Sequence, residues 1–168
     1  MSQAVTLRLD DDLARDVLAL AHAVGGPAPI YPPHITLTLG HTAVPTQPLI
    51  EHLAAIAATT DRLPVSISGF GVFPDGHGWL WLAPVTTAPL LALQKQVAEA
   101  IGSEHLDPLY RPGAWQPHVT VERGEIPIPD ALGRLQTAWS GGLRGRAVTL
   151  EVVHFPPVEI VADLPLRA

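Results

Sequence analysis

Hydrophobic and polar positions alternate at the start of the chain, where Val5, Leu7 and Leu9 fall on one face of an extended segment. Three aspartates follow, and apolar residues then recur at helical spacing until Gly25, which predicts a capped helix. Strands and helices continue to alternate in this way. We predict strands over 4–9, 34–39, 65–73, 79–83, 117–123, 147–155 and 158–163, and helices over 13–24, 46–56, 87–101 and 129–139. The turn residues 74–78 predict a hairpin with His77 at its tip, and Thr46 and Thr87 are expected to cap the second and third helices.

Two of these strands carry the same pattern, a histidine followed by an apolar residue, a threonine and an apolar residue. The copies begin at His34 and His118, 84 positions apart. Chance would produce only about 0.1 copies of this pattern in a chain of this composition. The same offset relates two further pairs, Gly40 with Gly124 and Pro45 with Pro129. We therefore predict an internal duplication, with half-repeats over about 4–73 and 79–155.

Each predicted half runs strand, helix, motif strand, helix, strand, and one further strand follows the second half. Helices combined with mainly antiparallel strands indicate the α+β class. The prediction is a single bilobal domain, 1–168, in which two small sheets related by a pseudo-twofold axis flank a central cleft. The helices are expected outside, and the two motif strands are expected to line the cleft.

Composition and charge narrow the class of protein. An apolar fraction of 47% with 15% charged residues is sufficient for a real core. The formal net charge is −6 with only ten Lys and Arg, so no extended nucleic-acid surface is expected. Cysteine is absent, which excludes disulfides and thiolate chemistry. Without a basic-apolar leader or a long apolar stretch, we expect a cytoplasmic monomer with no membrane partner.

The duplicated pattern places chemistry on the strands, because side chains two residues apart point to the same face. His34 and His118 could act as general base and general acid near neutral pH. The hydroxyls of Thr36 and Thr120 could hold the non-bridging oxygens of an anion, and four such converging groups suit a phosphate. Neither motif contains an Asp or Glu to complete a metal site, so we expect no metal and no other cofactor.

Candidate substrate contacts lie near these motifs. Tyr31 precedes the first motif in a proline-rich loop and is either an edge aromatic or a stacking wall for a base. The irregular stretch 103–116 carries Arg111 and Trp115, and it is either a lid or substrate rest or an ordinary connection. His154 alternates with apolar residues and is expected to be a hydrogen-bonded core histidine. Surface positions are expected for His22, His41, His52 and His77.

Three segments resemble a known family: 34–40, 69–74 before Trp81, and 117–123. They are similar to the two-histidine phosphoesterase superfamily, and within it to the branch of 2′-5′ RNA ligases and RNA 2′,3′-cyclic phosphodiesterases. The resemblance implies a bilobal α+β fold and metal-independent cleavage of 2′,3′-cyclic phosphates to 2′-phosphates. It implies a nucleotide or a short RNA with a cyclic phosphate end as partner. Arg123 matches the basic residue after the second motif, whereas Leu39 replaces an aromatic residue after the first.

Two alternatives remain open from the sequence. The chain could be a non-catalytic module that binds nucleotides or RNA ends in the same cleft. It could also apply the same chemistry to another phosphodiester, such as a 2′-5′ linkage or a cyclic phosphate of ADP-ribose. The sequence does not determine which histidine is the base and which is the acid.

Overall fold

The structure is a computed structural model that describes residues 2–27, 29–41, 43–73 and 78–168. Its strands are β1 (Ser2–Leu9), β2 (His34–His41), β3 (Leu63–Val72), β4 (Trp79–Pro84), β5 (Val119–Arg123), β6 (Leu143–Phe155) and β7 (Glu159–Pro165). Its helices are α1 (Asp11–Val24), α2 (Thr46–Thr59), α3 (Ala88–Ile101) and α4 (Ile128–Ala138). The predicted hairpin turn with His77 at its tip lies largely outside the described residues.

Two of the predicted helix caps are present and one is displaced. The Asp10 carboxylate accepts from the Leu13 amide at 2.9 Å, and Gly25 ends α1 with φ +90°. Thr87 caps α3 as expected. The predicted cap Thr46 is instead the first residue of α2, and its hydroxyl accepts from Gln3 Nε2 at 3.2 Å. The Thr46 side chain therefore joins β1 to the start of α2, and α2 has no side-chain cap.

The α+β class and the antiparallel pairing are confirmed, but the expected two sheets form one. All seven strands belong to one sheet with the order β2-β1-β6-β3-β4-β5, and β7 pairs with β6. The strand β6 joins the two lobes because it is 13 residues long. Its residues 143–147 pair with β3, and its residues 149–154 pair with β7.

The strand order has an internal symmetry. When β1 is exchanged with β4, β2 with β5 and β3 with β6, the same order is obtained, read from the opposite edge of the sheet. The helices follow the same rule, since α1 packs on β5 and α4 while α3 packs on β2 and α2. A duplicated β-α-β-α-β unit would produce this topology. Each half thus buries its first helix against the motif strand of the other half.

The two motif strands lie at opposite ends of the strand order but contact each other, so the sheet curves strongly. The stretch 103–116 covers the free edge of β2. The Asp107 amide donates to the Leu39 carbonyl at 2.9 Å, and Gly40 forms a bridge with Leu106. The buried Gln94 amide donates to Leu37 and to Tyr110, at 3.3 and 2.8 Å. This stretch is therefore fixed along the first motif strand.

The face of the sheet that meets the helices holds the core. The apolar residues of both motifs, Ile35, Leu37, Val119 and Val121, are buried in one cluster with residues of all four helices. Burying each such side chain contributes about 1.5–3 kcal/mol, so both motif strands are held firmly from behind. No helix in the described part of the chain is long and apolar enough to cross a membrane.

Candidate active site

The paired motifs meet in one cleft of about 220 Å³ between the two lobes. His34 and Thr36 reach it from β2, while Thr120 reaches it from β5 and His118 from the residue just before β5. The structure thus brings together the four residues that the sequence predicted as catalytic. The remaining lining residues are Ala4, Thr6, Tyr31, Leu39, Trp79, Tyr110, Arg123, Val153, Phe155 and Val158.

Each imidazole is held by an equivalent hydrogen bond to the backbone carbonyl two residues before it. His34 Nδ1 lies 2.7 Å from the Pro32 carbonyl oxygen, and His118 Nδ1 lies 2.8 Å from the Gln116 carbonyl oxygen. A carbonyl oxygen can only accept, so Nδ1 is the protonated nitrogen in both rings. In each neutral ring Nε2 therefore keeps its lone pair, and in each protonated ring Nε2 carries a transferable proton.

Both histidines favour the neutral form in the free protein. The pKa of His34 is lowered to about 4, mainly by burial and also by the nearby charges of His118 and Arg123, while the Pro32 contact opposes the shift. Burial also lowers the pKa of His118. One ring must gain a proton before it can act as an acid. A bound phosphodiester anion would favour that protonation.

A polar network surrounds His34. The Tyr31 ring packs edge-on against the imidazole, with centroids 4.5 Å apart. The Tyr31 hydroxyl donates to the Glu151 carboxylate and lies 2.8 Å from the Thr6 hydroxyl. Burial and the contact with Glu151 raise the pKa of Tyr31, so its hydroxyl stays protonated. We call Thr6, Arg8, Tyr31 and Glu151 the acidic network.

Aromatic rings surround His118 instead. Phe73 packs edge-on at 4.8 Å between centroids, and Trp81 and Tyr110 each lie at 6.3 Å. The indole of Trp81 occupies the space in front of Gly71, where an added Cβ would come within 2.6 Å of the ring. We call Phe73, Trp81 and Tyr110 the aromatic box.

Arg123 ends β5 at the edge of the cleft and has an exposed side chain. Its guanidinium carbon lies 5.7 Å from the centre of the Trp79 ring. This is a cation–π contact, which holds the charge beside the cleft without neutralising it. Arg123 is thus placed to contact an anion there.

Two predicted substrate contacts lie elsewhere. Trp115 is only 8% exposed, and its indole N–H donates to the Thr36 carbonyl oxygen at 2.9 Å. It therefore secures the first motif strand from its edge. Arg111 is exposed and is not among the residues that line the cleft. These positions do not support the substrate contacts predicted for Trp115 and Arg111.

A second compartment of about 280 Å³ adjoins the cleft between α1, the proline-rich loop and β5. Tyr31, His34, Thr120 and Arg123 line both spaces. Leu18 and Ile30 add apolar side chains that are 40% and 73% exposed. Groups attached to a phosphate at the histidines thus have room on two sides.

Sequence reasoning missed two buried carboxylates near the motifs. Glu122 accepts from the amides of Gly124 and Glu125, both at 2.7 Å, and from that of Ile126 at 3.2 Å, which fixes the turn after β5. Glu151 belongs to the acidic network. The sequence around Glu122 and Glu151 does not show which groups compensate the charges of these carboxylates. Among the described residues, no group of three or more His, Asp or Glu side chains is placed to hold a metal ion.

His154 is hydrogen-bonded as expected, but only half-buried. Its Nε2 lies 3.1 Å from Gln3 Nε2 and 3.3 Å from the Thr46 hydroxyl. It does not line the cleft. Its role in this structure is to join β6 to β1 and to the start of α2.

Comparison with known families agrees with this geometry. The sequence model of the 2′-5′ RNA ligase superfamily matches residues 9–152. No curated protein sequence matches the chain at a significant level. The fold and the paired histidines define a two-histidine phosphoesterase. The chain belongs to the 2′-5′ RNA ligase superfamily.

Solved structures share the whole fold at low sequence identity. TT0787 of Thermus thermophilus is 19% identical with a TM-score of 0.69, over 100% of this chain and 99% of that one. Escherichia coli LigT complexed with 3′-AMP is 13% identical with a TM-score of 0.63, over 99% and 98%. Kluyveromyces marxianus Usb1 with uridine monophosphate is 15% identical with a TM-score of 0.51, over 98% and 97%. Together with the family, these structures support a phosphoesterase in general terms.

Proposed function

We propose that this protein is a metal-independent phosphodiesterase that hydrolyses 2′,3′-cyclic phosphate ends of RNA or nucleotides to 2′-phosphates. The observation that carries the proposal is the matched pair of imidazoles in one cleft. Each is tied through Nδ1, which leaves Nε2 as its proton-transferring nitrogen. A pure binding site would not need two such nitrogens beside two threonine hydroxyls.

The surroundings of the two rings suggest their roles. Burial lowers the pKa of His34, and the charges of His118 and Arg123 lower it in the same direction, which favours a neutral base. His34 Nε2 takes a proton from water, and the water oxygen attacks phosphorus as the bond to the 3′ oxygen breaks. His118 Nε2 gives its proton to that departing oxygen. The product carries a 2′-phosphate, and one proton has moved from His118 to the ribose while His34 has gained one.

The other cleft residues supply positioning and charge. The hydroxyls of Thr36 and Thr120 donate to the non-bridging oxygens, and Arg123 offsets their growing negative charge in the transition state. Trp79, Tyr110 and Phe155 line the same cleft and offer flat surfaces for a base. Solved relatives named with 3′-AMP and with uridine monophosphate support a nucleotide as ligand.

The test is turnover of 2′,3′-cyclic AMP, with the product position read by phosphorus NMR. We expect 2′-AMP, unchanged activity in EDTA and a bell-shaped pH profile, because the reaction needs one neutral and one protonated imidazole. Loss of activity in EDTA with recovery on adding a divalent metal would favour a metal-dependent enzyme. Tight binding without turnover would favour the non-catalytic module.

Ligation of RNA through a 2′-5′ bond is a second candidate, because the adjoining compartment has room for a second nucleoside beside His34. Incubating a cyclic-phosphate oligonucleotide with a 5′-hydroxyl acceptor tests it. A 2′-5′ dinucleotide and a cyclic phosphate of ADP-ribose, offered separately as substrates, test the other phosphodiesters. The preferred substrate is the one with the highest kcat/KM.

Substrate length is a separate question. Each phosphate neutralised by the protein adds about −0.7 to the log-log salt slope for a single strand. The chain has a net charge of −6, and Arg123 is the one cationic side chain among the described residues that line the cleft. We expect kcat/KM for a cyclic mononucleotide or short oligonucleotide to approach that for long RNA, with a shallow salt dependence. A slope corresponding to five or more phosphates would contradict this.

A further inference from the structure

A completely buried carboxylate lies beside the first motif, although the mechanism does not use it. Glu151 is 0% exposed, and a buried charge is costly unless it is paired. Its Oε1 lies 3.0 Å from Arg8 Nη1, an ionic approach rather than a well-aligned hydrogen bond. Its Oε2 accepts from Tyr31, and the Thr6 hydroxyl lies 3.4 Å away. Such an arrangement needs an explanation.

The strand register connects this carboxylate to the catalytic groups. Thr6 on β1 lies opposite Thr36 on β2 and opposite Glu151 on β6, so these three residues form one row across the sheet. Arg8 lies opposite His34 in the neighbouring row. Because directly paired residues point to the same face, the acidic network lies on the same face of the sheet as the motif side chains. At its outer end, Arg8 Nη1 lies 3.0 Å from Asp163, which is half-exposed.

Tyr31 is the link from this network to the imidazole. Its hydroxyl is anchored at Glu151 and Thr6, while its ring packs against His34. The next residue along the chain, Pro32, provides the carbonyl that holds His34 Nδ1. Anchoring the Tyr31 side chain therefore fixes both the ring that packs beside the imidazole and the Pro32 carbonyl that orients the imidazole.

We propose that Tyr31 and Glu151 form a positioning pair that fixes the His34 imidazole for proton transfer. This inference rests on the proposed two-histidine chemistry. It assigns Tyr31 a role in orientation and not in stacking against a base. Tyr31 is also not the acid of the reaction, because its hydroxyl already donates to Glu151.

The catalytic test uses Tyr31→Phe and Glu151→Gln with 2′,3′-cyclic AMP. Tyr31→Phe keeps the ring against His34 and removes only the anchor, so we expect kcat to fall about 10- to 100-fold with KM within about 2-fold. Glu151→Gln should show the same fall in kcat with little change in KM. Asp61→Asn breaks an exposed ion pair with Arg167 far from the cleft and serves as the matched control. If Glu151→Gln fails to fold, Tyr31→Phe alone decides.

A readout without substrate separates this proposal from the proposed function. In nitrogen-15 NMR, the ring signals of His34 should broaden or shift in Tyr31→Phe, whereas those of His118 should not. Unchanged His34 signals with unchanged kcat would overturn the positioning role. A raised KM with unchanged kcat would overturn it in favour of a substrate contact. If the wild-type protein shows no turnover, the proposed function is wrong. Perturbed His34 signals in Tyr31→Phe would still support the positioning pair in that case.

Discussion

The two motif histidines each contact a backbone carbonyl in the same way, but their surroundings differ. His34 lies against a hydrogen-bonded, charged network, whereas His118 lies in a box of three aromatic rings. Hydrogen bonds fix a group by direction, and packed rings fix it by shape. The same motif can therefore be held in place by either kind of force.

The symmetry of the sheet shows where the difference arises. The row Thr36, Thr6, Glu151 in one lobe corresponds to the row Thr120, Trp81, Gly71 in the other lobe. Gly71 leaves room for the Trp81 indole, whereas the equivalent position of the other row holds the Glu151 carboxylate. A polar support and an apolar support thus occupy equivalent positions, and they should respond differently to substitution.

Removing either imidazole should have the largest effect, and it should be similar in both halves. We expect His34→Ala and His118→Ala each to lower kcat by roughly 10² to 10⁴ with little change in stability near neutral pH. Because the two rings act together, the double variant should be only slightly worse than either single one. Steady-state kinetics with a cyclic nucleotide measure this, and full activity in either single variant would exclude the mechanism.

His34→Ala should also remove a pH dependence of folding. The pKa of His34 is about 4 in the folded protein and 6.5 as its ordinary value, so the unfolded chain binds more protons between these limits. This group therefore costs the wild-type protein stability as pH falls from about 6.5 towards 4. Urea unfolding at several pH values should show a smaller loss in His34→Ala than in His22→Ala, an exposed control.

Loss of the threonine hydroxyls should be milder. Thr36→Ala and Thr120→Ala each remove one hydrogen bond to a charged oxygen, so we expect a fall in kcat/KM on the order of 10-fold or more. Thr59→Ala, on the surface of α2, is the control. If neither motif variant differs from this control, the hydroxyls do not contact the phosphate.

The aromatic box can be tested through its glycine. Gly71→Ala places a Cβ within 2.6 Å of the Trp81 ring, whereas Gly69→Ala on the same strand meets nothing within 4 Å. Overpacking of this kind costs about 1–3 kcal/mol. We expect Gly71→Ala to lose that stability and a few-fold in kcat as the indole moves towards His118. Equal behaviour of the two alanine variants would mean that the box is not tightly packed.

The smallest expected effect is a shift in the pKa of His34. Arg123 is one of the charges that disfavour the His34 imidazolium, so Arg123→Gln should raise this pKa and move the acid limb of kcat/KM to higher pH. An NMR titration of both rings without substrate measures it. Arg111→Gln should leave the pKa of His34 unchanged. A fall in the pKa of His34 in Arg123→Gln would contradict the electrostatic effect of Arg123 on this imidazole.

The sequence predicted the parts of this molecule that depend on local patterns. Alternation and caps located the strands and most helix boundaries, and the repeated motif located the four groups that share the cleft. These features need only neighbouring residues, so they are visible in one dimension.

What the sequence did not predict depends on distant partners. Trp115 is an aromatic residue in an irregular stretch, as a substrate contact would be, but this stretch runs along the edge of β2, and the indole donates to Thr36, 79 positions away. In the sequence, Glu151 has the pattern of an exposed acid on a strand. In the structure it is buried and accepts from Tyr31, which is 120 positions away. The single sheet was missed because the start of β6 has Gly145 at an inward position, where a strand pattern expects an apolar side chain.

The exchange of helices between halves has a consequence for cutting the chain. Because α1 packs on β5 and α4, and β1 pairs with β6, neither half can bury its own apolar surface. A chain divided between Phe73 and Gly78 should therefore yield two fragments that stay unfolded separately and assemble when mixed. Each fragment would carry one of the two histidines. Recovery of phosphodiesterase activity on mixing would then report assembly itself, and the protein would serve as a split enzyme.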